Sequence, residues 1–527
     1  MSAPALFTAQ LHPGRALGWL VLGASLHDIL TRVKAEPQQF PKIELAFDSA
    51  KPFDKPVIVI LPANGLRLQF DGVEQRLRLV EVVDFTKNHI TFKDQNTERD
   101  LVKPATEEGP SPPSKTVLSA EPTFKHIYQR FLGPTYGGEF LPSAPDGSNT
   151  GIYVLSYPGV AFTFPLSEHA YSPEKDVVSL LSSTTQPATS MAVFSGESWA
   201  QARRTIWTEV LPSIKTFSPI VKGKDVYPDE VSLIKIHGGG KLQLFKNWST
   251  NSTWIHLGET TEQDLVRDLG PPDAIYHKSD QHMYIHQIRT SSNSRTRPDS
   301  DEPRRQDDLT DTDQSSAQSM SGDSNDDEAV DDDLAANPSG ERFYNYFHLG
   351  FDVLVSTPTT PSQPPPSQAS TAVPHNPLSF RLPNRVVATK VVLHGNVPGS
   401  YPFNRHRRAR WEIAYLDHAS PDAPINTENL FPEIEKHLGA EWQSVYASKA
   451  DATQKQRGMV LNRGWGDSPG SSIELLGGWE DSVPSTAPAP GAKRPDGSDD
   501  STTTLYGFPG LVFEVLRNGY VSAVTVF

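Results

Sequence analysis

The stretch FPGLVFEVLRNGYVSAVTVF, Phe508–Phe527, decides the fold. Leu511, Phe513 and Val515 alternate with Val512 and Glu514, the period of a strand with one buried face. Asn518-Gly519 predicts a tight turn with both residues at positive φ, after which Val521–Phe527 returns antiparallel. That turn sets Phe513 opposite Val524 and Leu511 opposite Val526, giving an apolar face packed across the strands. Two strands alone are marginal in water, so something must cover this face. The predicted cover is a helix of the same unit, and the unit recurs.

Gly510 is followed by apolar residues at its next first, third and fifth positions. The same pattern follows Gly65 (Leu66, Leu68, Phe70), Gly159 (Val160, Phe162, Phe164) and Gly350 (Phe351, Val353, Val355). Returning strands are read at Arg76–Phe85, Thr189–Gly196, Arg385–His394 and Tyr520–Phe527. Upstream of each lies a short amphipathic segment: Leu26, Ile29, Leu30 and Val33; Phe124, Ile127, Tyr128 and Phe131; Leu265, Val266 and Leu269; Leu430, Ile434 and Leu438. Leu132-Gly133-Pro134, Leu269-Gly270-Pro271 and Leu438-Gly439 read as helix stops, since Gly takes the left-handed turn that ends a helix. The expectation is an α+β protein of repeated units, each a short helix packed on an antiparallel β-meander or hairpin, with disordered inserts. The units are placed at 14–102, 117–250 (with an additional hairpin around Gly238-Gly239-Gly240), 251–416 and 417–527.

Hydrophobic residues make up only 36% of the 527 and prolines number 46, so part of the chain is expected to be disordered. The net charge of −15 is concentrated in one place. Asp299–Asp333 alone contributes most of it, and the remainder is close to neutral. The absence of cysteine removes disulfides, thiolate nucleophiles and Cys-ligated zinc. It also fits a reducing compartment and makes the sequons at Asn247 and Asn251 incidental. The most apolar early stretch, Ala16–Leu26, is too short to span a bilayer, and no signal peptide is read. These features predict a soluble, intracellular protein.

Along the chain, Val57–Leu61 is dense in apolar residues and is expected to be covered on both faces. Lys103–Lys115 reads as a linker. Residues 251–416 are interrupted twice, by the Asp/Ser-rich insert 291–340, which cannot bury enough apolar surface to order itself, and by the Pro/Ser-rich tether 357–377. Serines amid aspartates in the first insert invite phosphorylation.

Few constellations carry chemistry. Gly466-Asp467-Ser468-Pro469-Gly470 matches the G-x-S-x-G string of a serine hydrolase but lacks the strand before and the helix after that the motif needs. His277, His282 and His286 cluster in sequence, yet their surroundings favour a strand, where that spacing sets the rings too far apart for one metal. The glycines 238–240 lack the Lys-Ser/Thr of a phosphate loop. Arg405, Arg407, Arg408 and Arg410 form the one concentrated basic run, just before the alternating Trp411–Tyr415. They are candidates for contact with an anionic surface, phosphoinositide head groups or an acidic partner. The other reading is a charged edge strand that blocks aggregation. Nucleic acid is disfavoured, since one short basic run is a poor footprint. No catalytic, cofactor or metal residue is assigned.

QRLRLVEVVDFTK (Gln75–Lys87), FLGPTYGGEF (Phe131–Phe140), YNYFHLGFDVLV (Tyr344–Val355), KVVLHGNVPGSYPFN (Lys390–Asn404) and LVFEVLRNGYVSAVTVF (Leu511–Phe527) resemble the phagosome assembly factor family. The resemblance implies a non-enzymatic adaptor in autophagy, partnered by a WD40-propeller protein at the phagophore assembly site. It implies that phosphatidylinositol 3-phosphate is met largely through the propeller, so lipid contact is indirect and the protein is cytoplasmic and recruited peripherally. Golgi-derived vesicle traffic is the alternative setting. A lipid carrier, needing an apolar cavity between helices and sheet, and a hydrolase using Ser468 are the rivals from other classes. The helix-plus-meander unit is also similar to the BamE-type lipoprotein module, at the level of fold alone.

Overall fold

The computed structural model describes residues 6–94, 97–102, 122–135, 137–142, 150–182, 187–211, 214, 229–277, 341–357, 386–416, 424–462 and 502–527. The linker 103–115, the insert 291–340, the tether beyond Thr357, His282, His286 and the Ser468 motif lie outside the described residues. The chain divides into two compact units. The larger holds Met1–His256, Tyr346–Asp352 and Val391–Phe527; the smaller holds Leu257–Asn345 and Val353–Lys390. The described residues are α+β, with antiparallel sheet predominating over short helices.

The larger unit contains an eight-stranded antiparallel sheet. Its order is Gly137–Leu141, Thr150–Tyr157, Val160–Ser167, Ser190–Phe194, Leu77–Val82, Leu66–Phe70, Val57–Leu61 and Glu44–Ala46. This is two four-stranded meanders joined through their last strands, with Met191 opposite Val82 and Val193 opposite Val80. The helix Leu26–Ala35 begins at Ser25, whose Oγ accepts the Asp28 N–H, and buries Leu26, Ile29, Leu30 and Val33. Those four side chains share one core with Val57, Leu68, Phe162 and Met191. Each fully buried side chain of this kind contributes about 1.5–3 kcal/mol. The space between helix and sheet is therefore filled by side chains. The second predicted helix is α-helical only over Phe124–His126 and continues as a π-turn over Ile127–Phe131, which keeps Phe124, Ile127 and Phe131 buried.

Two smaller sheets flank the meanders in sequence. Phe7–His12 pairs parallel with Asn88–Asp94, Phe7 opposite Asn88. Val231–Ile236 pairs parallel with Trp411–Ile413 on one side and antiparallel with Lys241–Lys246 on the other. At the C-terminus, Val391–His394 pairs with Val521–Val526, followed in order by Leu511–Val515, Thr502–Phe508 and Met459–Asn462. Phe513 stands opposite Val524 and Leu511 opposite Val526, the expected register. The helix Phe431–Glu441 sets Phe431 against Phe513, with ring centroids 5.8 Å apart.

In the smaller unit, the helix Glu262–Leu269 opens with a capping box between Thr261 and Asp264. It stops at Gly270, whose φ is 88°. Ala274 then pairs antiparallel with Asn345, and Thr389 Oγ1 donates to the Leu354 carbonyl. The strands Phe351–Ser356 and Val387–His394 each pass from one unit into the other along the chain.

All four glycines that open a predicted strand have positive φ: Gly65, Gly159, Gly350 and Gly510. At Gly65 a Cβ would lie 2.4 Å from the Asp84 carbonyl oxygen, so close approach and backbone conformation both demand glycine there.

Several expectations need correction. Asn518 is not at positive φ; Gly519 alone is, at 83°. The loop is longer than two residues, closed by Gly519 N–H to the Leu516 carbonyl and Leu516 N–H to the Tyr520 carbonyl, with a register shift at Val515. The Asn518 side chain instead accepts the Tyr520 N–H. Val57–Leu61 is fully buried only at Val57, Val59 and Leu61, because its other face is half-covered. Val266 faces solvent, while Leu265 carries the helix face. Gly439 lies inside its helix, and the buried face is Phe431, Ile434 and Leu438, with Leu430 as the exposed N-cap. The strand after the arginines covers only Trp411–Ile413 and gives way to a helical turn at Ala414–Leu416.

Phe513→Ala is expected to destabilise by ~3–5 kcal/mol, the cost of emptying a core aromatic site. Val266→Ala should cost less than about 0.5 kcal/mol, as for an exposed position. Urea unfolding followed by tryptophan fluorescence measures both.

Candidate functional site: the Arg405–Arg410 segment

The basic run follows a loop whose shape is set by two left-handed amide residues. Asn396, at φ 45°, ends the strand Val387–His394, and Asn404, at φ 63°, precedes the arginines. The Asn404 N–H donates to Asn396 Oδ1 at 2.6 Å, closing the loop on itself. Asn396 is paired in turn with Gln75, also left-handed at φ 54°. Gln75 Nε2 donates to the Asn396 carbonyl at 2.8 Å, and Asn396 Nδ2 donates to Gln75 Oε1 at 2.7 Å. Non-glycine residues in this region cost on the order of 1–3 kcal/mol, and here buried hydrogen bonds offset that cost. Gln75 belongs to the turn Asp71–Arg76, which Asp71 organises by accepting the backbone N–H groups of Glu74 and Arg76 and the Arg78 guanidinium.

The arginines then divide by environment. Arg407 is buried, paired with Asp28 of the first helix and with Glu230 at 3.2 Å. Glu230 is also held by Arg76. Arg408 is buried and spends its donors on backbone, with Nε to the Val73 carbonyl and Nη1 to the Gly395 carbonyl, both at 2.6 Å. Its guanidinium lies 3.8 Å from the centre of the Phe53 ring. Glu428 accepts from Arg408 at 3.4 Å and from Arg410 at 3.0 Å. Arg410, partly exposed, also reaches Glu74. Arg405, also partly exposed, lies over the Phe347 ring at 5.9 Å. Of the four arginines expected to meet an anionic surface, Arg405 and Arg410 are partly exposed, whereas Arg407 and Arg408 are engaged inside the protein.

Burial alone would raise the Asp28 carboxyl, but Arg407 and His27 beside it hold it well below the usual carboxylate range. Burial lowers Arg408 to about 10, against the opposing pull of Glu428.

Between these cations sits His406. Its Nε2 donates to Asp352 Oδ1 at 2.9 Å, and His394 Nε2 donates to the other oxygen at 2.8 Å. The two imidazoles are stacked, centroids 3.7 Å apart and planes 13° from parallel. Two histidines and a carboxylate are a familiar metal-ligand set. Here each Nε2 is already within hydrogen-bond distance of a different oxygen of Asp352, from rings stacked face to face. The geometry suits two N–H donors on one carboxylate.

Sequence spacing groups His277, His282 and His286 instead, and gives no sign of this cluster. Asp352, His394 and His406 are distant in sequence, and the only local signal was that the two histidines flank the Asn396–Asn404 loop. That loop lies within one of the stretches that carried the family resemblance.

The phagosome assembly factor 1 family model matches residues 17–301 and 380–527. This chain belongs to that family. Relatives include a PHAF1 protein of Arabidopsis thaliana, 22% identical over 526 residues, covering 98% of this chain and 92% of the relative. A PHAF1 protein of Drosophila melanogaster is 21% identical, covering 96% and 90%. One of Caenorhabditis elegans is 24% identical, covering 79% and 78%. No solved structure matches. Among the described residues, no helix is long and apolar enough to cross a membrane.

Arg407→Met should destabilise by ~3–5 kcal/mol, because it leaves the Asp28 carboxylate without its cation and Glu230 with Arg76 alone. Arg410→Gln should cost ~0–1 kcal/mol, as for a partly exposed pair. Equilibrium unfolding in urea separates the two.

Proposed function

We propose that this protein is a non-enzymatic adaptor in autophagy. It acts with a WD40-propeller partner at the phagophore assembly site, on phosphoinositide-containing membranes, and is recruited peripherally from the cytoplasm. The observation that carries this reading is the family match over residues 17–301 and 380–527. A scaffold role is also supported by the arrangement of the titratable groups at the candidate site. Asp352 accepts from both His394 and His406, and Arg407 is paired with Asp28 and Glu230, so these groups tie segments of the chain to one another.

We further propose that the helix-plus-meander segments within 14–102, 117–250, 251–416 and 417–527 are copies of one unit. The order of elements supports it. Before and after residue 214, the described residues run through three strands, a helix, four strands, a strand parallel to the first, a helical segment and four more strands, with Thr97–Asp100, Val177–Ser182 and Trp199–Thr205 additional in the first half and Lys449–Lys455 in the second. Repetition of this kind builds extended sheet edges and faces, the surfaces that adaptors offer to partners.

The test follows the intact, fluorescently tagged chain in starved cells together with the propeller protein. The two should gather at the same puncta and purify together, and loss of the propeller should disperse the tagged chain. Puncta that form unchanged without the propeller, with no co-purification, would overturn the reading. In binding of the purified pair to phosphoinositide vesicles, Arg405→Gln with Arg410→Gln should weaken association and reduce its salt dependence. Each cation near an anionic leaflet contributes about 1 kcal/mol, roughly five-fold in affinity.

A further inference from the structure

The His406 cluster has a property that the adaptor reading does not use. We propose that His406 is an acid-sensitive latch, whose protonation releases the Arg405–Arg410 segment from the strands that hold it.

The geometry gives His406 no place for a second proton. Its ring is 2% exposed, with Nε2–H committed to Asp352 and Nδ1 buried without a partner. A neutral ring tolerates this, since Nδ1 then carries only a lone pair. Protonation at Nδ1 would create a buried N–H with no acceptor, and a bare buried donor is costly.

The charge would be equally ill-placed. Asp352, on the strand Phe351–Ser356, is the carboxylate that faces the ring, and it already accepts from both imidazoles. His394, on the strand Val387–His394, covers one face at 3.7 Å. The Phe347 ring stands edge-on at 4.9 Å, with His348 next along that turn. Arg405 and Arg407 flank His406 on its own segment. From the first helix come His27, bonded to the Arg405 carbonyl, and Asp28, whose charge is taken by Arg407. A positive ring would have Asp352 in its favour but burial, the stacked His394 and the adjacent Arg405 against it.

Burial lowers His406 to about 4, and the neighbouring His394 adds to that effect while Asp352 opposes it. In an opened segment the ring is solvated and titrates near its ordinary value of about 6.5. The sign follows. The open form binds more protons between these two values, so the closed form is favoured above about 6.5 and lost progressively as pH falls toward about 4. Within that window one proton changes the opening constant about ten-fold per pH unit. The segment's closure also rests on two backbone hydrogen bonds, Arg407 N–H to Phe347 and Ala409 N–H to His394, both at 2.8 Å. These bonds supply the readout.

Hydrogen–deuterium exchange of the full chain, corrected for the pH dependence of intrinsic exchange, tests this at pH 7.2 and 5.2. Peptides spanning 405–410 should open about ten-fold more at the lower pH, while peptides spanning 66–82 should not. His406→Gln keeps an N–H donor for Asp352 but cannot titrate, and it should abolish the increase. Where that variant does not fold, Asp352→Asn decides: without the carboxylate the segment should be open already at pH 7.2. Overturning results are wild-type protection of 405–410 that is the same at both pH values, opening that spreads equally to 66–82, an acid response retained in H406Q, or a D352N variant that stays closed at pH 7.2.

Discussion

Arg407 and Arg408 carry two charges into the interior, and the neighbouring segments are arranged around their neutralisation. The first helix supplies Asp28, the start of the small parallel-paired sheet supplies Glu230, and the residues before Phe431–Glu441 supply Glu428. Each carboxylate comes from a different part of the chain, so the ion pairs can form only when those parts are in place together. Taking such charges out of water costs several kcal/mol per ion. What the arrangement provides is therefore register more than net stability. Replacing the cluster by well-packed apolar side chains would hold the elements together without specifying how they meet.

The amide pair Gln75–Asn396 serves the same end by another route. Both residues sit in a backbone region that most side chains avoid, and each supplies the hydrogen bond that the other needs. Asparagine tolerates that region better than most residues, whereas Gln75 depends on its partner. The turn Asp71–Arg76 and the loop Asn396–Asn404 therefore fix each other's shape, and the arginines are delivered from that fixed base.

Much of the fold was legible because strand alternation and helical spacing are local signals. The four glycine-led strands, the C-terminal register and the faces of the first helix depend on residues a few positions apart. Elements whose identity depends on partners were harder to see. Phe7, Ala9 and Leu11 alternate with Thr8, Gln10 and His12, but six residues give little to separate a strand from a loop until the pairing with Asn88–Asp94 is known. The π-turn at Ile127–Phe131 preserves a buried face that simple helical spacing also predicts, so the sequence could not distinguish them. The basic run shows the limit most clearly. Four arginines in six residues suggest a solvated patch on composition alone, and two of them are interior because carboxylates remote in sequence reach them. Nothing local in Arg407 or Arg408 separates them from Arg405 and Arg410.

The parallel pairings also have a consequence in time. Thr8 is paired with His89 and Ile234 with Trp411, so in each case the first strand leaves the ribosome long before its partner. At ordinary rates of synthesis the second interval lasts on the order of ten seconds. Throughout that interval one edge of Val231–Ile236 has only solvent or a foreign strand to bond, while its other edge is already closed by Lys241–Lys246. Assembly of this protein is therefore exposed to mispairing at a defined stage of its own translation, and a pause placed between those two strands would lengthen that stage.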